Sequence, residues 1–270
     1  MIERLRTNPF LLRELALRAA ADDTRRLYAY SGPGLFLLLL QMPVLYGLLF
    51  SALSGSFETD IFGAPMFLVT AWFLVLYFSH AAARLCAGAL ASEREGGTLD
   101  ALRLLPHASG DLFVGKFLGA LAPLAFEVLL VAPALSLYAL VGPVPLIRVA
   151  LVATLCGALV VGGGAIGMFW SVQSLEPGVA VTRAFATVLT LHVVPCALAV
   201  GLLSMSAGGE SLLSVVLLSP LALVVRLAHA GSSTLSMLVD DLTVLAPVLC
   251  LGACVTVLLL QIAMRRLSRG

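Results

Sequence analysis

Four ionisable side chains stand inside long apolar stretches of this chain: His80, Arg84, Glu127 and His192. A charged group at membrane depth is costly, so each must be paired, neutral or in contact with a water-filled path. Arg84 lies close enough to the polar sequence from Ser92 onward for its head group to reach an interface, which makes it an interfacial anchor. His80 and His192 either hydrogen-bond between helices in their neutral form or line a path. Glu127 is deeper, about 22 Å along a helix from the start of its stretch at Leu112, beyond easy reach of the surface. Glu127 and His192 are therefore the candidate residues of a translocation path.

Other residue types could suggest chemistry but lack the spacing for it. The five cysteines, Cys86, Cys156, Cys196, Cys250 and Cys254, lie within apolar runs, and no Cys/His cluster has zinc spacing. They read as packing thiols, and no metal is expected. The run Gly110-Asp111-Leu112-Phe113-Val114-Gly115-Lys116 matches the first seven positions of a phosphate-binding loop. Phe117, however, occupies the place of the Ser or Thr that would hold magnesium, and no buried strand precedes the run. No paired catalytic carboxylates or Ser/His arrangement appear in the spans, so no catalytic residue is expected.

The elements that must carry these residues follow from composition. The chain is 60% hydrophobic and 11% charged, against the roughly 25% charge of a soluble domain. Its apolar runs are too long and too continuous for barrel strands, which leaves an all-α integral membrane protein. Six stretches reach spanning length, at residues 32–53, 62–90, 112–140, 145–170, 184–205 and 242–264. A further run, Leu212 to Val225, is too short to cross and contains Pro220, so residues 206–240 read as an extracytoplasmic re-entrant or interfacial segment. Cytoplasmic termini place all basic residues but Arg148 and Arg226 on the inner side, as the positive-inside rule asks. A net charge of +1 argues against a nucleic-acid partner. The first residues carry arginines and acids in place of the apolar core of a cleavable signal.

Two polar segments flank the spans. From Asn8-Pro9, Leu11, Leu12, Leu15 and Ala19 recur at helical spacing, while Glu14, Arg18, Asp22 and Arg26 form a possible ion-pair ladder on the other face. This predicts an amphipathic helix lying in the membrane plane over residues 8–30, turning into the first span at Ser31-Gly32-Pro33-Gly34. The second segment, residues 92–106, contains Glu93, Glu95, Gly96, Gly97, Thr98, Leu99, Leu102, Leu105 and Pro106. Gly96-Gly97 releases the chain from the second span, Thr98 is placed to cap a short helix, and Pro106 limits it. Leu99, Leu102 and Leu105 would form an exposed apolar stripe, which in water wants a partner. Pro43, Pro123, Pro133, Pro195 and Pro247 predict kinks within the spans, and Gly163 and Gly167 have the spacing for close helix approach.

Glu93-Arg94-Glu95-Gly96-Gly97-Thr98-Leu99, the Leu-rich turn to Pro106 and then Gly115-Lys116-Phe117-Leu118-Gly119 resemble the signature of permeases of the type-2 ATP-binding-cassette exporter family. In that family an "E-x-E-x-G-T-L" motif ends the second span, and a "G-K-x-x-G" motif opens the third. Asn8-Pro9 with Arg13-Glu14 resembles the same family's elbow helix, and the six-span pattern and Ser219-Pro220 also fit. The resemblance implies six transmembrane helices with an N-terminal amphipathic elbow helix and a cytoplasmic coupling helix between spans 2 and 3, in the inner membrane. It implies docking of that coupling helix on a separate cytoplasmic ATPase, which would bind the ATP and magnesium. A second permease copy or a paralogue would complete the transporter. Two other readings use the same features: a membrane anchor passing ATPase force to an envelope partner, and an ion-coupled secondary transporter with Glu127 and a histidine as relay. The absence of detectable inverted repeats weighs against the latter.

Overall fold

A helix in lipid satisfies every backbone polar group internally, and long runs of Leu, Val and Ala meet that condition at the lowest cost. The computed structural model describes residues 8–20, 59–104, 109–141, 144–205 and 235–269, and among these the regular elements are all helices. In chain order they are α1 (Pro9–Ala20), α2 (Thr59–Glu95), α3 (Leu99–Arg103), α4 (Ser109–Val141), α5 (Leu146–Gln173), α6 (Pro177–Met205) and α7 (Leu235–Arg269). Five of them, α2 and α4 to α7, are long and apolar enough to cross a membrane. The expected first span at 32–53 and most of segment 206–240 lie outside the described residues.

The helices overrun the apolar stretches that announce them. α6 begins at Pro177, where its span was expected from Ala184, and α7 at Leu235, where its span was expected from Leu242. The reason is that hydropathy marks where lipid begins, whereas backbone hydrogen bonding continues into the polar zone until a cap or turn stops it. Residues 235–240 thus belong to the last helix. Pro123, Pro133 and Pro195 lie within continuous helical assignments.

α5 is the centre of the bundle and packs against α2, α4, α6 and α7. Its glycines explain how. A Cβ on Gly163 would collide with Ser79 O, and one on Gly167 with Ala83 O, so these two glycines bring the backbones of α2 and α5 into direct contact. A Cβ on Gly164 would stand 2.9 Å from Leu121 of α4, and one on Gly162 would stand 3.5 Å from Thr256 Oγ1 of α7. Between helices in lipid the attraction comes from close packing, because the tails outside are as apolar as the side chains inside. Ser171 strengthens the same seam, its Oγ accepting from Leu90 N and Ala91 N at 2.9 and 3.0 Å. Toward the far end, Thr70 and Tyr138 share a buried 2.6 Å hydrogen bond between α2 and α4. Phe126, Leu129 and Leu130 of α4 face outward, as lipid contact allows.

Candidate functional site

The two polar segments meet at one end of the bundle. Asn8 caps α1: its Oδ1 accepts from Phe10 N at 3.0 Å and Leu11 N at 3.2 Å, with Pro9 in the first turn. Its Nδ2 donates to Asp111 O at 2.9 Å, fastening the cap to the start of α4. α1 then lies in a shallow trough made by Gly115 and Gly119. A Cβ on Gly115 would stand 2.7 Å from Phe10 Cβ, and one on Gly119 2.7 Å from Glu14 Cβ. The two glycines of the "G-K-x-x-G" run are therefore the seat of the N-terminal helix.

The lysine between them ties four elements together. Lys116 is 5% exposed, yet its ammonium reaches Glu14 Oε1 of α1 and Glu93 Oε1 of α2, each at 2.5 Å. Arg13 Nη1 stands 3.9 Å from the same Glu93 oxygen. The other oxygen, Glu93 Oε2, accepts from the Thr98 hydroxyl just before α3. Two cations and two carboxylates balance, so the quartet carries no net charge. A lysine this enclosed is held by its partners, and removing one member of a buried pair costs about 3–5 kcal/mol. Glu14, the first member of the expected ion-pair ladder, bonds to Lys116, and the side chain of Arg18 lies outside the described residues. Residues 21–30 of the expected elbow segment lie outside the described residues.

The turn between α2 and α3 follows a defined pattern. Thr98 N donates to Glu93 O at 2.9 Å and Gly97 N to Arg94 O at 3.1 Å, the paired bonds of a Schellman cap. Gly97 has φ +66°, a conformation strained for a residue with Cβ, which explains the second glycine. Thr98 does not cap α3 with its side chain as expected; its hydroxyl is turned back to Glu93. Glu95 and Gly96 are exposed. The expected apolar stripe is corrected as well. Leu99 is 3% exposed and belongs to the chain's own core, and Leu102 packs half-buried against it. A helix this short, held at its start by Glu93, turns its first leucines inward. Leu104, which caps it, is the residue left outside, 87% exposed. Leu105 and Pro106 lie outside the described residues. Arg94 secures the other flank, its Nη1 donating to Val172 O and Ser174 O at the end of α5 at 3.0 and 2.9 Å.

The run Gly110 to Lys116 is helix, and its lysine ammonium is bonded to the two carboxylates. Among the described residues no three His, Cys, Asp or Glu side chains are grouped to hold a metal.

Glu127 and His192 find separate partners. Tyr77 of α2 donates its hydroxyl to Glu127 Oε2 at 2.8 Å, so the deep carboxylate is paired with a phenol. His192, buried on α6, meets Ser79 Oγ at 3.5 Å and lies beside His80, ring centroids 5.8 Å apart. Counted along the helices from Pro177 and Glu95, His192 and His80 are level across the contact of α6 with α2. Tyr77 was missed from sequence, because a lone tyrosine in an apolar run carries no charge to draw attention. Its position one turn before His80 on α2 was the available signal.

No protein-family model and no curated protein matches this chain. The functional reading rests on the residues and their geometry.

Proposed function

We propose that this chain is the permease subunit of an ATP-driven exporter of the type-2 ATP-binding-cassette kind. It would have six spans, the first at residues 32–53, α1 as the elbow helix, α3 as the coupling helix and both termini in the cytoplasm. The observation that carries the reading is the Lys116 quartet. It joins the N-terminal helix, the end of α2, the short α3 and the start of α4 into one rigid corner. A short helix braced in this way passes a push to two long helices at once, whereas a helix on a flexible loop would absorb it. Leu104, projecting from the tip, supplies the contact for the cytoplasmic ATPase. Tyr77 and Glu127 provide the polar group of a path that opens between the permease and a second copy or paralogue.

The experiment is purification of the tagged chain in mild detergent with identification of what accompanies it. A stoichiometric ATPase is expected. Leu104→Asp should lower ATPase recovery by at least tenfold at unchanged permease yield, a loss on the scale of one buried leucine at about 1.5–3 kcal/mol. Full recovery of the ATPase with that variant would remove α3 as the docking element. Hydrolysis by the reconstituted complex that moves no solute would favour the force-transmitting anchor.

A further inference from the structure

Arg84 stands within the apolar part of α2, about 16 Å along the helix from Glu95, and it is exposed. A guanidinium in hydrocarbon is costly unless an anion or water accompanies it. Among the described residues no carboxylate lies within ion-pair distance of it. To reach the polar sequence at Ser92, as an interfacial anchor does, the side chain has to point toward the C-terminus of α2. Helix side chains lean the other way, toward the N-terminus, and the Arg84 charge is felt at the Tyr77 hydroxyl, about 10 Å deeper on the same helix. The cation therefore faces inward, away from the polar end.

The rotation of α2 fixes what surrounds it. Ser79 and Ala83 press on α5, Tyr77 bonds to Glu127 of α4, and His80 packs against Phe185 of α6 with ring centroids 4.7 Å apart. The remaining face, between α4 and α6, carries Tyr77, Arg84, Gly88 and Ser92 at helical spacing. Gly88 leaves a notch in that face, since a Cβ there would have nothing within 4 Å. Ser92 is exposed, and its hydroxyl is bonded back to Gly88 O at 2.7 Å, which holds it close to the helix. An open lane thus runs from the corner end of α2 to Arg84, with the Tyr77–Glu127 pair deeper on the same side. On α6, Phe185 and Leu189 expose apolar surface about 12 and 18 Å along the helix from Pro177, bracketing Arg84 in height.

We propose that this lane binds an anionic amphiphile, with its acidic headgroup on Arg84 and its chain against Phe185 and Leu189. Complementarity selects that occupant. A cation at membrane depth with no carboxylate beside it among the described residues calls for an anion, and the notch at Gly88 gives a headgroup room next to the helix. The flanking apolar side chains suit an alkyl chain, as in other basic pockets between transmembrane helices that take acidic lipids. Glu127 is engaged by Tyr77 and marks the inner limit of the headgroup. Glu95, exposed at the mouth, is about 16 Å from Arg84 along the helix and in water, so its repulsion is screened. Binding needs no ATPase, so the site and the exporter reading stand or fall separately.

The test is equilibrium binding of radiolabelled dodecyl phosphate to the full chain, purified alone in a neutral maltoside detergent. Saturable binding at a single site is expected. Arg84→Gln should weaken it by about tenfold or more, the scale of one hydrogen bond to a charged group, whereas Arg84→Lys keeps the positive charge and should stay within about threefold of the wild type. Gly88→Leu leaves the charge in place and fills the notch, so it should weaken binding as much as Arg84→Gln does while eluting like the wild type on size exclusion. Inorganic phosphate and dodecyltrimethylammonium should not displace the label at concentrations where unlabelled dodecyl phosphate does. Wild-type affinity in Arg84→Gln or in Gly88→Leu, or displacement by the cationic amphiphile, would overturn the proposal. Equal displacement by inorganic phosphate would overturn it too, by assigning the site to a soluble anion. Should either variant fail to fold, the other and the wild-type competition decide.

Discussion

At Lys116 one ammonium bonds two carboxylates, Glu14 and Glu93, that are far apart along the chain, and Arg13 supplies the second positive charge. Glu93 and Glu14 would repel each other without it, and Glu93 would lose the orientation that lets its second oxygen hold Thr98. We expect Lys116→Met to lower stability by about 3–5 kcal/mol, read as a fall in the unfolding midpoint of the detergent-solubilised protein. Adding Glu14→Gln to that variant should recover part of the loss, because one of the two carboxylates left without the ammonium is then neutral. A Lys116→Met protein as stable as the wild type would show that the quartet holds nothing. Among these residues Glu93, Thr98 and Lys116 stood out in the sequence as parts of motifs. Their mutual contact did not, since Glu93 and Lys116 are far apart along the chain and spacing alone cannot bring them together.

Between elements, the closest fit is that of α2 against α5. Gly167 stands where a Cβ would strike the carbonyl of Ala83 and lie 2.9 Å from Ala87 N, and backbone atoms cannot move aside as a flexible side chain can. Gly167→Val should therefore separate the two helices and sharply reduce the yield of folded protein. Gly157, on the same helix, has open space around its Cβ position, and Gly157→Ala should leave the protein unchanged or stabilise it by about 0.5–1 kcal/mol through helix propensity. The pair can be compared by size-exclusion profile and melting midpoint, and equal behaviour would mean that the α2–α5 contact is looser than its geometry. The spacing of Gly163 and Gly167 was legible in sequence as a close-approach pattern. Which helix approaches was not, because all the spans are apolar all round and none shows a face that selects its neighbour.

At the scale of the whole molecule, the bundle in lipid has no hydrophobic reason to prefer one orientation, so its basic residues must decide it. Arg13, Arg94 and Lys116 gather at the corner that also holds α1 and α3, while Arg148 is at the start of α5, on the opposite end. With the corner in the cytoplasm, single cysteines at Ser56 and Ser232, in a background without the native five, should react with a membrane-impermeant thiol reagent in whole cells. A cysteine at Ser268 should not react. The reverse pattern would invert the topology and remove the basis for a cytoplasmic ATPase partner.

The sequence by itself determined that the chain is helical and apolar enough to lie in a membrane, because length and continuity of hydrophobic runs are local properties that lipid reads directly. It also determined where α2 must end, since Gly96-Gly97 is a local backbone instruction. Tertiary structure alone decided that Leu99 faces inward while Leu104 faces outward, that Thr98 serves Glu93 and leaves α3 uncapped by its side chain, and that Glu127 is held by Tyr77. Each of these depends on a partner from another helix, and in a chain whose spans are uniformly apolar no periodicity records which helix that will be.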